Sequence, residues 1–164
     1  MKATDAIVTS LSSTQNILNM YVADLSDADL LVRPAPNANH IAWQFGHLVA
    51  AESFLVAPQL PDAPYPAVSP GFMEQYGKKG AGDDDPMHFL SKAEYLKMFG
   101  DGREITKAAV AKLSDADLDR PTKGDMAQFA PTLGALLMAV SNHTLMHVGQ
   151  FTVVRRKLGK PVLF

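Results

Sequence analysis

Helical periodicity over four long stretches, with no strand-like alternation between them, constrains this chain more than any other feature. Over residues 4–25 the apolar positions Ile7, Leu11, Leu18, Tyr21, Val22 and Leu25 fall three, four and seven apart and trace one helical stripe. A second stretch, 39–56, carries Ile41, Phe45, Leu48 and Phe54 on its apolar side and stops before Pro58. A third opens at Ser91-Lys92-Ala93-Glu94, a capping box in which the Ser oxygen and the Glu carboxylate each satisfy an orphan backbone donor. It is expected to run to Leu113, with a bend at Gly100 and Gly102. The fourth, 132–158, follows Pro131 and closes with Arg155-Arg156-Lys157, then Gly159 and Pro161, a cationic last turn with its glycine stop. Four such helices predict an all-α, four-helix bundle, and 164 residues predict one domain over 1–164.

Two features interrupt the plain bundle. The hexapeptide Leu-Ser-Asp-Ala-Asp-Leu occurs at 25–30 and again at 113–118, each time followed by Arg-Pro, at Arg33-Pro34 and Arg120-Pro121. Each copy reads as a Ser-capped helical turn, either a convergent capping sequence or the mark of two pseudo-symmetric halves. The second feature is the Pro/Gly-rich segment 57–90, too long for a simple hairpin connection. It is long enough to cross the whole bundle, so that helices 2 and 3 run parallel, and its Tyr65, Phe72, Tyr76 and Phe89 pack it down as a lid or anchor it as a crossover.

Composition closes several functional classes. There is no cysteine, which removes disulfides, thiolate-held zinc, iron–sulfur clusters and cysteine nucleophiles. Any metal must be held by His and carboxylates. A net charge of −2 with no basic stripe argues against nucleic acid. The start Met1-Lys2-Ala3-Thr4-Asp5 lacks a secretory pattern, and the longest apolar run, 133–140, is too short for a bilayer, so the expected location is the cytoplasm with no membrane partner.

The histidines carry the chemistry. His143 and His147 are four apart within one helix, ~40° apart on one face, the spacing at which two imidazoles share a metal. His47, in an apolar run of the second helix without charged neighbours, is the natural third ligand. It lies ~12 Å from its helix start and His143 ~17 Å from its own, so the two meet at similar depth if both helices enter from the same end. Three imidazoles and an open position suit a catalytic divalent ion, Zn²⁺ or Ni²⁺ first and Fe²⁺ or Mn²⁺ next. The bound ion would activate water for hydrolysis, or a thiol substrate for transfer to an electrophile. Gln150, on the stripe of His143 and His147, is a candidate for orienting ligand or substrate. Glu52, about 140° round the helix from His47, is either a candidate general base or a solvated helix residue. Trp43, a turn before His47, reads as core or pocket wall, and with Tyr65 and Tyr76 completes the candidate substrate-binding set. His40 reads as a surface or supporting residue, His88 as a loop residue, and Asp83-Asp84-Asp85 as a solvated acidic turn.

The run Ile41-Ala42-Trp43-Gln44-Phe45-Gly46-His47-Leu48, the run Asn142-His143-Thr144-Leu145-Met146-His147-Val148-Gly149-Gln150 and the Leu-Ser-x-x-x-Leu and Arg-Pro segment before the second helix resemble the DinB-like superfamily. The resemblance extends from the first helix to Arg156. It implies a bundle with up-down-down-up connectivity, a divalent metal on His47, His143 and His147, and frequently a homodimer. It also implies an activity of the kind some members have, thiol-dependent transfer or isomerisation with bacillithiol, mycothiol or glutathione. The chain departs from a short member in its 57–90 crossover. A non-catalytic, metal-stabilised binding or stress-response module and a metal-free helical scaffold are the competing expectations.

Overall fold

Side-chain caps set where every α-helix after the first begins in the computed structural model of the protein, which describes residues 1–163. Helix α1 spans Ala3–Val22, α2 is the turn Asp27–Leu30, and α3 spans Ile41–Val56. Then come α4, Pro70–Gln75, α5, Lys92–Val110, the turn α6, Asp115–Leu118, and α7, Leu133–Lys157. At Ser91 the hydroxyl accepts from the Glu94 amide while the Glu94 carboxylate accepts from the Ser91 amide, and α5 then runs unbroken through Gly100 and Gly102. Thr132 caps α7, which ends on its three cationic residues before Gly159 at φ 67°. α3 starts later than its pattern suggests because the His40 ring is the cap: Nδ1 accepts from the Trp43 amide at 3.0 Å. His40 is fully buried and so is not a surface residue. Both hexapeptides form the expected turn, with Ser26 and Ser114 exchanging bonds with Asp29 and Asp117.

Contacts between the long helices give their directions. Ser10 and Thr14 meet Ser141 while Tyr21 meets Arg155, so α1 and α7 are parallel. Phe45 packs on Tyr95 and Phe99 while Glu52 bonds Arg103 and Thr106, so α3 and α5 are also parallel. Leu11 meets Arg103 while Val22 meets Lys92, and Gln44 meets His147 while His47 meets His143, so α1 opposes α5 and α3 opposes α7. The bundle is therefore up-down-down-up. α3 and α7 do not enter from the same end, contrary to the depth argument made from the sequence. Their histidines meet because antiparallel packing brings the first half of α3 against the middle of α7.

Because α3 and α5 are parallel, residues 57–90 travel the length of the bundle. Arg33, following the first hexapeptide, pins this crossover: its guanidinium donates to the carbonyls of Ala38, Ala81 and Asp83 and pairs with Asp84 at 2.6 Å. Arg120, following the second, bonds Asp117 in its own turn and, among the described residues, does not reach the crossover, so the repeat extends to the turn and not to the arginine's role. Asp83 is not simply solvated, since its carboxylate accepts from Gln75 and His88 and is held down at about 2 by those bonds. His88 stays in this loop.

The core is aliphatic and aromatic, with Leu11, Leu18, Phe45, Leu137 and Phe151 wholly buried, each contributing about 1.5–3 kcal/mol by leaving water. Across its middle runs one polar network. Arg103, fully buried, pairs with Glu52 at 2.9 Å, donates to the Leu11 carbonyl and Thr14 Oγ1 on α1, and donates to Thr144 Oγ1 on α7. Thr106 donates to the second Glu52 oxygen and accepts from the Tyr65 hydroxyl, whose pKa burial pushes up to about 12. Removing one partner of a buried pair strands the other charge. Glu52→Ala is expected to cost about 3–5 kcal/mol by urea denaturation, whereas Asp101→Ala, breaking the exposed pair with Lys97, should fall within about 0.5 kcal/mol.

Candidate metal centre

Three imidazoles in the interior of a bundle must each find partners or a cation. His47 comes from α3, His143 and His147 from α7, and their ligand atoms all lie within 4.8 Å of one another. Ring centroids are 5.2 Å apart for His47 to either partner and 4.7 Å between His143 and His147. His47 Nδ1 donates to the Tyr76 carbonyl at 3.0 Å, which leaves its Nε2 as the free lone pair. Gln44 fixes His147 in the same sense. The Gln44 amide nitrogen donates to the Asn39 carbonyl at 2.8 Å, so its oxygen accepts from His147 Nδ1, also at 2.8 Å. His147 Nε2 therefore accepts from His143 Nε2 at 3.1 Å.

Sequence packs this corner closely. Trp43 stacks on His47 with centroids 4.9 Å apart and planes 8° apart, and its Nε1 donates to the Gln75 carbonyl. A Cβ on Gly46 would stand 2.2 Å from the Tyr76 ring, so only glycine lets the crossover approach closely enough for the Tyr76 carbonyl to reach His47. The Tyr76 hydroxyl, meanwhile, is bonded to Tyr95 at 2.6 Å.

The donor set fits a divalent cation. Two nitrogens sharing a tetrahedral ion at 2.0–2.1 Å stand about 3.3 Å apart, close to the 3.1 Å between His143 and His147. Burial, reinforced by the neighbouring imidazoles, lowers the pKa of His143 to about 4 and of His147 to about 3, so both are neutral at physiological pH, the form that can bind a cation. Beside the triad a cavity of about 420 Å³ opens, lined by α3, α7, the half-buried Met126, and Met73, Tyr76 and Gly77 of the crossover.

The other site residues read from the sequence lie elsewhere. Gln150 is exposed and does not line this cavity, because it stands about 10 Å along α7 from His143. The glutamine bonded to the triad is Gln44, three residues before His47 and so on its side of α3. Its signal was one amide within an otherwise apolar run. Glu52 is neither solvated nor beside the histidines, since Arg103 holds it on the α5 side of α3. There, with Tyr65, it borders a second cavity of about 410 Å³. Trp43 and Tyr76 reach the triad, Trp43 as a stacking wall and Tyr76 through its carbonyl and the cavity wall.

Fold and site together define a four-helix bundle with an internal three-histidine centre. The model of the DinB superfamily matches residues 10–151, and the chain belongs to that superfamily. No curated protein gives a significant match. Among solved structures, a conserved protein from Enterococcus faecalis superposes with a TM-score of 0.70 at 15% identity, covering 98% of this chain and 99% of that one. YfiT from Bacillus subtilis superposes with a TM-score of 0.68 at 17% identity, covering 96% and 89%. It is described as "a probable metal-dependent hydrolase with an unusual four-helix bundle topology". At these identities the likeness shows the fold. Among the described residues no helix is long and apolar enough to cross a membrane.

Two outcomes follow from the imidazole partners. Gln44→Leu should weaken Zn²⁺ binding about 10–100-fold, read by competition with a chromophoric chelator. In the metal-free protein the unfolded state takes up protons at His143 and His147 below about pH 6.5, while the folded state resists until about 4 and 3. Stability should therefore fall as pH drops through that window, and His147→Asn should flatten the slope in pH-dependent urea titrations.

Proposed function

We propose that this protein is a divalent-metal-dependent enzyme that joins a low-molecular-weight thiol to an electrophilic small molecule, with His47, His143 and His147 as ligands. The observation that carries this reading is the convergence of three imidazoles, two with Nε2 freed by fixed partners, at the end of a cavity. A divalent cation there supplies the Lewis acidity that lowers the pKa of a coordinating thiol or water. Zn²⁺ and Ni²⁺ suit three imidazoles best, then Fe²⁺ and Mn²⁺.

The cavity lining favours transfer over hydrolysis. No carboxylate, lysine or arginine borders it, so no side chain stands ready to take a proton from water or give one to a leaving group. Thiol transfer asks less: the S–H bond breaks with its proton passing to solvent, a C–S bond forms, and the displaced group leaves with its electron pair. Trp43 and the Tyr76 carbonyl hold His47 in place, and the open side of the cavity leaves solvent within reach of the released proton. Hydrolysis is the second reading, favoured by the description of the YfiT neighbour. The chain is also read as a cytoplasmic homodimer, supported by the apolar face that Met138, Leu145, Met146 and Val153 expose along α7. Sedimentation velocity of Met146→Glu beside wild type tests that part, with a shift to monomer expected.

The test of function is metal content by inductively coupled plasma mass spectrometry on untagged protein, with His47→Ala and His143→Ala alongside. About one equivalent in wild type and loss in both variants is expected, followed by thiol-dependent turnover in a screen of electrophiles. No metal after anaerobic reconstitution would overturn the reading. Metal-dependent ester or amide cleavage without thiol would shift it to hydrolysis.

A further inference from the structure

The walls of the histidine cavity carry chemical information that the triad does not. Apart from His47 and His143, the lining residues are Ala, Phe, Leu, Met, Tyr and Gly, with no formal charge among them. Three of the polar groups at its crossover wall are already engaged. The Tyr76 hydroxyl is bonded to Tyr95, the Tyr76 carbonyl accepts from His47, and the Gly77 amide donates to the Glu74 carbonyl. A charged group entering the cavity would lose its water and gain no partner there except the imidazole corner. The rim points the same way, since Phe54 lies 65% exposed at the cavity. A large aromatic left in water beside an apolar recess is surface that an apolar ligand would cover.

Three small residues set the width. Ala50 and Ala51 on α3 and Ala139 on α7 face the cavity, and each added side chain would project into it. At about 420 Å³ the space matches about 14 water molecules at the ~30 Å³ each takes in the liquid. A molecule with a similar number of non-hydrogen atoms fits.

We propose that the substrate taken into this cavity is an uncharged, largely apolar molecule of about 10–15 non-hydrogen atoms, with Ala50, Ala51 and Ala139 setting the size limit and its reactive atom turned toward His47 and His143. This rests on the proposed function in one respect, that the histidine corner is where the substrate reacts. It also divides the two reactants, since a polar or charged thiol body has no partner inside and must lie outward of the apolar walls.

The test uses the full-length, zinc-reconstituted protein and a matched pair of probes, 1-naphthalenemethanol and 1-naphthylmethyl(trimethyl)ammonium, titrated by calorimetry. The quaternary ammonium has no proton to lose and no lone pair, so it does not coordinate a metal and reports the cost of charge in the cavity. The expected result is binding of the alcohol, at least tenfold weaker binding of the ammonium, and at least tenfold loss of alcohol binding in Ala51→Leu and Ala139→Leu. Two variants on different helices guard against one misfolded protein, and the probe comparison in wild type needs neither. Equal binding of both probes, no binding of the alcohol, or alcohol binding unchanged in both folded variants would overturn the inference; the last would place the probe in the Tyr65 cavity. Zinc content measured on the same samples separates the two readings. Alcohol binding with the expected variant losses but without retained zinc supports the cavity assignment and counts against the metal site.

Discussion

Arg103 is the side chain on which the arrangement of the bundle turns. A guanidinium with no exposed surface must spend its donors inside the protein, and those of Arg103 go to the other three long helices: Glu52 on α3, Leu11 and Thr14 on α1, and Thr144 on α7. These bonds are directional, and the interior is a medium in which an unpaired charge is costly, so they fix how deeply each helix sits against the others. Apolar packing between helices tolerates small slides far better than such a network does. Thr144 lies between His143 and His147 in sequence, and Glu52 lies five residues beyond His47. The register that satisfies Arg103 is thus the one that places histidines of α3 and α7 opposite each other. The two faces of α3 divide the labour, one closing the ion pair and the other building the centre.

The imidazoles bring a second constraint, the choice of tautomer. A neutral histidine offers one lone pair, and a ligand is useful only if that lone pair faces the ion. His147 obtains its orientation from Gln44, itself anchored to the Asn39 carbonyl, and His47 obtains its own from the Tyr76 carbonyl on the crossover. The crossover is therefore part of the centre as well as its wall. It is tied down by Arg33 and Asp83, it carries the acceptors for both His47 and Trp43, and it reaches them because position 46 has no side chain. This links a Pro- and Gly-rich segment, which looks like a mere connection, to the orientation of one histidine of the triad.

How far all this could be read from the chain itself depends on the range of the interactions involved. The four helices, the Ser91 capping box, the cationic end of α7 and the two hexapeptide turns are local, and apolar spacing with cap chemistry announces them. The histidine triad was legible because two members are four residues apart and the third stands in an uncharged run. For Glu52 the helical angle says which way the residue faces but not which neighbour stands there, and the neighbour is Arg103, fifty-one positions away. Gln150 shared the stripe of the histidines but lies beyond the cavity, whereas Gln44 reaches His147 across the bundle. The direction of α3 against α7 follows from the crossover, whose length in the sequence is enough to make α3 and α5 parallel, and no single helix encodes it.

Protein partners hold His47 and His147 with Nε2 bare and facing a common centre. Long-range ¹H–¹⁵N correlation spectra of the metal-free protein, recorded from pH 7 down to about 5, report the tautomer and charge of each imidazole directly. The expected spectra show the proton of the neutral ring on Nδ1 at both residues, with His147 still uncharged at the acid end, and loss of the single tautomer at His147 in Gln44→Leu. A neutral ring with its proton on Nε2 at either residue, or rapid averaging between tautomers, would contradict that arrangement.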